Sequence, residues 1–164
     1  MNNTYCVLVA DGTRARFFAL DSGARNPGES GPDLVEYEDR VNPEHELQGH
    51  DKYSTTRTGV NLNPGKGPAH GYDDHRDQEE REHERRFARE IARHAIEFAQ
   101  AEEAGHLVVA ADKRMLGLLR EALDVPPHAR FELRELAKDL TRFPAVDVHR
   151  HLSDAGLVPA RHRG

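Results

Sequence analysis

Residues Tyr5–Ala10 read YCVLVA, Asp11–Thr13 read DGT, and Arg14–Leu20 read RARFFAL. The first run is short, continuously apolar and rich in strand formers, the pattern of a central strand covered on both faces. The three residues after it are turn formers, and Gly12 is free to take positive φ. The run beyond the turn places Ala15, Phe17 and Ala19 on one face and Arg14, Arg16, Phe18 and Leu20 on the other, so the first two strands form a hairpin. A second buried run, His106–Ala111 (HLVVAA), lies far downstream. A strand reached through a helix is expected to return by a right-handed crossover and pair in parallel.

Working outward, Asp21–Asp33 (DSGARNPGESGPD) is a Gly, Pro and Ser loop, and Leu34–Val41 alternates charged and apolar residues as an edge strand does. From about residue 42 to 74 no period is visible, and a long flexible loop is expected there; such loops are usually functional or disordered. A helix follows from about Asp74 to Ala104. The stretch Asp73–Arg86 (DDHRDQEEREHERR) has no apolar residue, and the pairs Asp77 with Arg81 and Glu82 with Arg86 would support it as a solvated helix. Its second half carries Phe87, Ile91, Ala95 and Phe98 at helical spacing and docks on the core. Gly105 is expected to stop it. After HLVVAA, Asp112 caps a helix striped by Met115, Leu116, Leu119 and Leu123 and ended by Pro126 and Pro127. A fifth strand runs from about Arg130 to Leu136, and Thr141 and Pro144 open a last helix through about Leu152. The order predicts a single α/β domain over residues 1–155, a mixed five-stranded sheet of order 3-2-1-4-5 with helices on both faces and ribonuclease H-like topology, and a loose C-terminal tail over 156–164.

The chain has 164 residues, with 23 Lys and Arg against 29 Asp and Glu, a formal charge of −6. Only 37% of it is hydrophobic and 32% is charged, so much of the chain is solvated loop or charged helix rather than core. No run approaches the roughly 20 apolar residues of a membrane helix, and Met1–Tyr5 lacks a basic, then apolar leader. No membrane insertion and a cytoplasmic location are therefore expected. The one cysteine, Cys6, lies in an apolar strand, which excludes an internal disulfide and a cysteine-based zinc site. The mild acidity argues against duplex binding, which a basic surface drives.

Four segments together, VADGTRARFF (Val9–Phe18), Phe87-Ala88, HLVVAADKRMLGLLREAL (His106–Leu123) and KDLTRFP (Lys138–Pro144), resemble the bacterial host attachment protein family. That family takes its name from a requirement for attachment to host cells and looks related to the middle domain of archaeal and eukaryotic peptide-release factors. The resemblance implies a fold that agrees with the strand order above. In the release-factor domain a Gly-Gly-Gln tripeptide, on the loop before the long helix, carries the chemistry. Here that loop, Gly49–Asp74, reads GHDKYSTTRTGVNLNPGKGPAHGYDD. Gly65-Lys66-Gly67 sits in a similar place but lacks the glutamine, so no catalytic residue is carried over.

Several candidate chemistries follow from the residues. Asp11 and Asp112 should lie just past the C-terminal ends of adjacent parallel strands, about 5 Å apart in strand spacing, at the edge where open α/β sheets place ligands. They could hold Mg²⁺ or Mn²⁺ for phosphodiester hydrolysis, with Asp147 as a third ligand. Equally, Asp11 suits a turn and Asp112 a helix cap. His70, Asp73 and His75 could meet on a metal, although none matches an established ligand spacing. No cofactor is expected on the favoured reading. Between Gln48 and Gly71, Lys52, Arg57 and Lys66 face only Asp51, a local +2 in an acidic chain. With His70 they are the candidate contacts for RNA or the ribosome, with Tyr53 and Tyr72 available for stacking. The charged helix over 74–86 could instead dock a protein partner. The reading is a non-catalytic binding module, leaning away from an enzyme; a metal-dependent nuclease and a host-surface attachment factor are the alternatives.

Overall fold

A computed structural model describes residues 3–23, 26–43 and 69–162, with side chains from 76 onward in the long helix. The elements are β1 (Thr4–Ala10), β2 (Arg14–Asp21), β3 (Val35–Val41), α1 (Ala69–Ala101), β4 (His106–Ala111), α2 (Lys113–Ala122), β5 (Glu132–Ala137) and α3 (Ala145–Asp154). They form one mixed sheet of order β3-β2-β1-β4-β5, as expected. β1 pairs antiparallel with β2, and β4 pairs in parallel with β1 and β5.

The alternation of side chains across β1 and β4 sorts the core into two. Cys6, Leu8 and Ala10, with Leu107, Val109 and Ala111, pack under Phe87, Ile91 and Ala95 of α1 and Met115, Leu116 and Leu119 of α2. Val7, Val9, Val108 and Ala110 face the other way, against Val148 and Leu152 of α3. Helices therefore cover both faces, and β1 is buried on both because it has a strand on each side and a helix layer above and below. Fully burying a side chain such as Leu8 contributes about 1.5–3 kcal/mol. That is why two six- or seven-residue apolar runs suffice to anchor so charged a chain.

Four expectations are corrected. Helix α1 starts at Ala69, so the last residues of the supposed 42–74 loop are helical. The Asp77–Arg81 pair does not form among the described residues, while Glu82 pairs with Arg85 at 2.8 Å. At its other end, α1 stops before Gly105. Glu103 takes φ 53°, and Ala104 N–H donates to Ala99 O at 2.9 Å, a left-handed closure of the kind glycine usually makes. Gly105 instead starts the sheet, donating to Thr4 O and accepting from Glu132 N–H. Nor are residues 156–162 loose. Gly156 at φ 75° closes α3, and Leu157 N–H donates to Leu152 O. Val158 is buried in the α3-side core, and Gly31 and His162 exchange backbone hydrogen bonds at 2.9 Å. The tail is held because Val158 covers apolar surface that α3, only ten residues long, leaves open.

Candidate functional site at the C-terminal edge of the sheet

β1 and β4 run in register to their ends, with Ala10 opposite Ala111, so Asp11 and Asp112 stand side by side at the C-terminal edge, as expected. Their chemistry differs. Asp11 Oδ1 accepts from the amides of Thr13 and Arg14, each at 2.8 Å, and from Thr13 Oγ1 at 2.9 Å. This is the side-chain-to-backbone turn that an Asp before Gly-Thr favours. Asn42, buried just past β3, donates from its amide to Thr13 O at 2.8 Å and from its side chain to Gly12 O at 3.2 Å. Glu84 of α1 covers Gly12 so closely that an added Cβ would lie 3.1 Å from its carboxylate. Glu84 also pairs with Arg114 of α2 at 3.1 Å.

Asp112 caps α2. Its Oδ2 accepts from Met115 N–H at a long 3.5 Å, while Oδ1 is buried with no hydrogen-bond partner among the described residues. The expected third ligand, Asp147, is instead paired with Arg150 at 3.0 Å within α3. The carboxylate linked to Asp11 through a shared hydroxyl is Asp139. Thr141 Oγ1 lies 2.5 Å from Asp139 Oδ1 and 3.0 Å from Asp11 Oδ2. One hydroxyl hydrogen serves one acceptor at a time, and the shorter contact takes it, which leaves Asp11 Oδ2 the less satisfied oxygen. Among the described residues no group of three or more His, Cys, Asp or Glu side chains is gathered closely enough to hold a metal. Asp11, Asp112 and surrounding water would have to suffice, as they can for Mg²⁺ when a substrate phosphate completes the shell.

Behind this edge, buried Arg16 donates to Thr141 O at 3.1 Å and to Phe143 O, forks onto Glu36 at 2.8 and 2.9 Å, and lies 4.9 Å over the Phe18 ring. A guanidinium supplies five fixed donors, so one residue of β2 ties β3 and the 139–143 segment to the sheet. Asp139, Asn42 and Arg16 were not singled out from the sequence. Arg16 alone carried a signal, a charge on the inward face of an apolar strand.

Residues Lys52, Arg57 and Lys66, with Tyr53, lie outside the described residues. His70, Tyr72, Asp73 and His75 fall within α1, but their side chains lie outside the description. His149 and His151 are structural. His149 is buried and its Nε2–H donates to Pro159 O at 2.7 Å, while His151 packs on Phe143 and meets Lys138. Burial pushes the Cys6 thiol up to about 12, so it offers no nucleophile.

A family described as "Protein required for attachment to host cells" matches residues 6–152. The chain belongs to that family. The match runs from β1 to Leu152 of α3, so it takes in the whole sheet and both carboxylates at its edge. No curated protein matches the chain. No helix among the described residues is long and apolar enough to cross a membrane.

Proposed function

We propose that this host attachment family protein is a non-catalytic binding module of release-factor-like, ribonuclease H-like architecture. In this reading it acts in the cytoplasm, with segment 49–71 as its contact surface and RNA or the translation machinery as its partner. The observation that carries the non-catalytic part is the state of Asp11, whose Oδ1 is committed to the turn that joins β1 to β2. The choice of surface rests on charge and connection. Segment 48–71 is locally +2 in a chain of −6, and it runs into α1, which over 76–86 has no buried residue before Phe87. Glycines in that segment let backbone N–H groups approach phosphate. Replacing Lys52, Arg57 and Lys66 together by Ala should weaken binding to purified ribosomes or RNA and flatten its salt dependence, because fewer counterions are released. Unchanged affinity and salt slope would remove the segment from the mechanism.

The orphaned Asp112 Oδ1, on the residue that follows β4 as Asp11 follows β1, supports a second reading, a nuclease using Mg²⁺ or Mn²⁺ at these two carboxylates. The metal would supply Lewis-acid stabilisation of a phosphodiester. Calorimetric titration should then show metal binding that Asp112→Asn abolishes at little cost in stability, since Asn also caps helices well. No metal heat in the unaltered protein retires this reading.

A further inference from the structure

At the opposite edge of the sheet from Asp11, the end of α1 and the segment entering β5 enclose a cavity of about 850 Å³, open to solvent on one side. Its apolar lining is made by Ala99 and Ala104 with Phe131, all buried. Its rim carries Gln100, Glu103, His128 and Arg130. Glu103 is already engaged within the fold, whereas the side chains of Gln100, His128 and Arg130 are exposed and make no hydrogen bond or ion pair among the described residues. The volume falls within the range of small-molecule sites, which pair an apolar lining with a few converging polar groups.

We propose that this cavity binds a small aromatic anion. The ring would lie on the alanine lining, where methyl-sized side chains let a flat body approach, and stack against Phe131. The carboxylate, sulfonate or phosphate would take the free guanidinium of Arg130, which presents a planar fork suited to two acceptor oxygens. His128 and Gln100 would supply further donors. The site is independent of the nucleic-acid reading, since it uses neither the 49–71 segment nor the edge carboxylates.

The probe is anilinonaphthalene sulfonate, followed by fluorescence and by amide NMR shifts on the folded protein. One saturable site per chain is expected, with shifts confined to residues 99–105 and 128–132. Arg130→Glu, at an exposed position, should weaken binding about tenfold with an unchanged melting temperature. Ala129 is half-buried in the same lining, so Ala129→Trp, which sets an indole into the cavity, should abolish binding. Shifts centred elsewhere, non-saturable binding, or equal affinity for the uncharged naphthylamine analogue would overturn the proposal. The wild-type shift map decides the matter even if the tryptophan variant fails to fold.

Discussion

Asp11 shows how one side chain can carry both the local fold and a candidate chemistry. Its Oδ1 holds the β1–β2 turn through two amides and a hydroxyl, and only Oδ2 faces outward toward Thr141. Asp11→Ala should cost about 1–3 kcal/mol, because the amide donors lose their acceptor. Asp11→Asn should cost less than half of that, because an Asn carbonyl supports the same turn. Chemical denaturation of both variants checks the order, and equal losses would contradict the geometry. Glu103 is the reverse case, a residue whose backbone is at odds with its identity. A non-glycine residue in the left-handed region costs about 1–2 kcal/mol, partly offset by the extra entropy that glycine loses on folding. Glu103→Gly should therefore raise stability by about 0.5–1 kcal/mol in a thermal melt, after loss of the side chain's own contact.

Among elements, β3 is the least covered, with Val35, Tyr37 and Val41 about half exposed. It is an edge strand with a bulge opposite Phe17, which turns Tyr37 onto Phe98 of α1 at 5.5 Å. Ion pairs hold it on both faces. On the α3 face, Arg14 meets Asp39 and Arg16 meets Glu36. On the α1 face, Glu38 receives His94 Nε2–H and Arg40 Nε–H, while Arg40 also donates to His94 Nδ1. Burial alone would raise the Glu38 carboxyl, but the Arg40 and His94 hydrogen bonds together outweigh it and hold it below its ordinary 4.5. The Arg14 hydrogen bond holds Asp39 below 3.8. Groups depressed in the folded state stabilise above their unfolded pKa, and that stability is lost as pH falls through the folded value. Burial likewise lowers His106 below 6.5, against the pull of Glu132, where it stacks on Tyr5 at 4.1 Å. Stability should therefore begin to fall as pH drops below about 6.5, through His106, and fall again below about 4.5, through β3. His106→Phe should reduce the first slope and leave the second. Melts across pH 3–8, read with hydrogen exchange of β3 amides, test this. An unchanged upper slope in the variant would remove His106 from the account.

For the molecule as a whole, the two cores on either side of the sheet are unequal in cover. The α1 and α2 side is closed by two helices, while the α3 side is completed by Leu34, Leu140 and the C-terminal Val158. Val158→Ala should cost about 1–2 kcal/mol, below the usual range for a buried leucine, although it lies beyond the last helix. An effect near zero would mean that the tail contributes no cover. This completion was invisible in the chain, because a single Val in GLVPARHRG has no period to reveal its face. The same limit hid Asp139 and Asn42, whose partners Thr141, Gly12 and Thr13 meet them at a corner where β1, β3 and the segment before α3 converge. What the amino-acid order determined by itself was the sheet. Two continuous apolar runs, an alternating strand after a Gly-centred turn, a helix capped by Asp112 and another opened at Pro144 leave few topologies once crossovers are right-handed. The positions of Asp11 and Asp112 followed from that order, since each immediately ends a strand. What only the tertiary structure decided was which polar groups are already spent. Hydrogen-bond satisfaction depends on neighbours from distant segments, and local period carries no information about them.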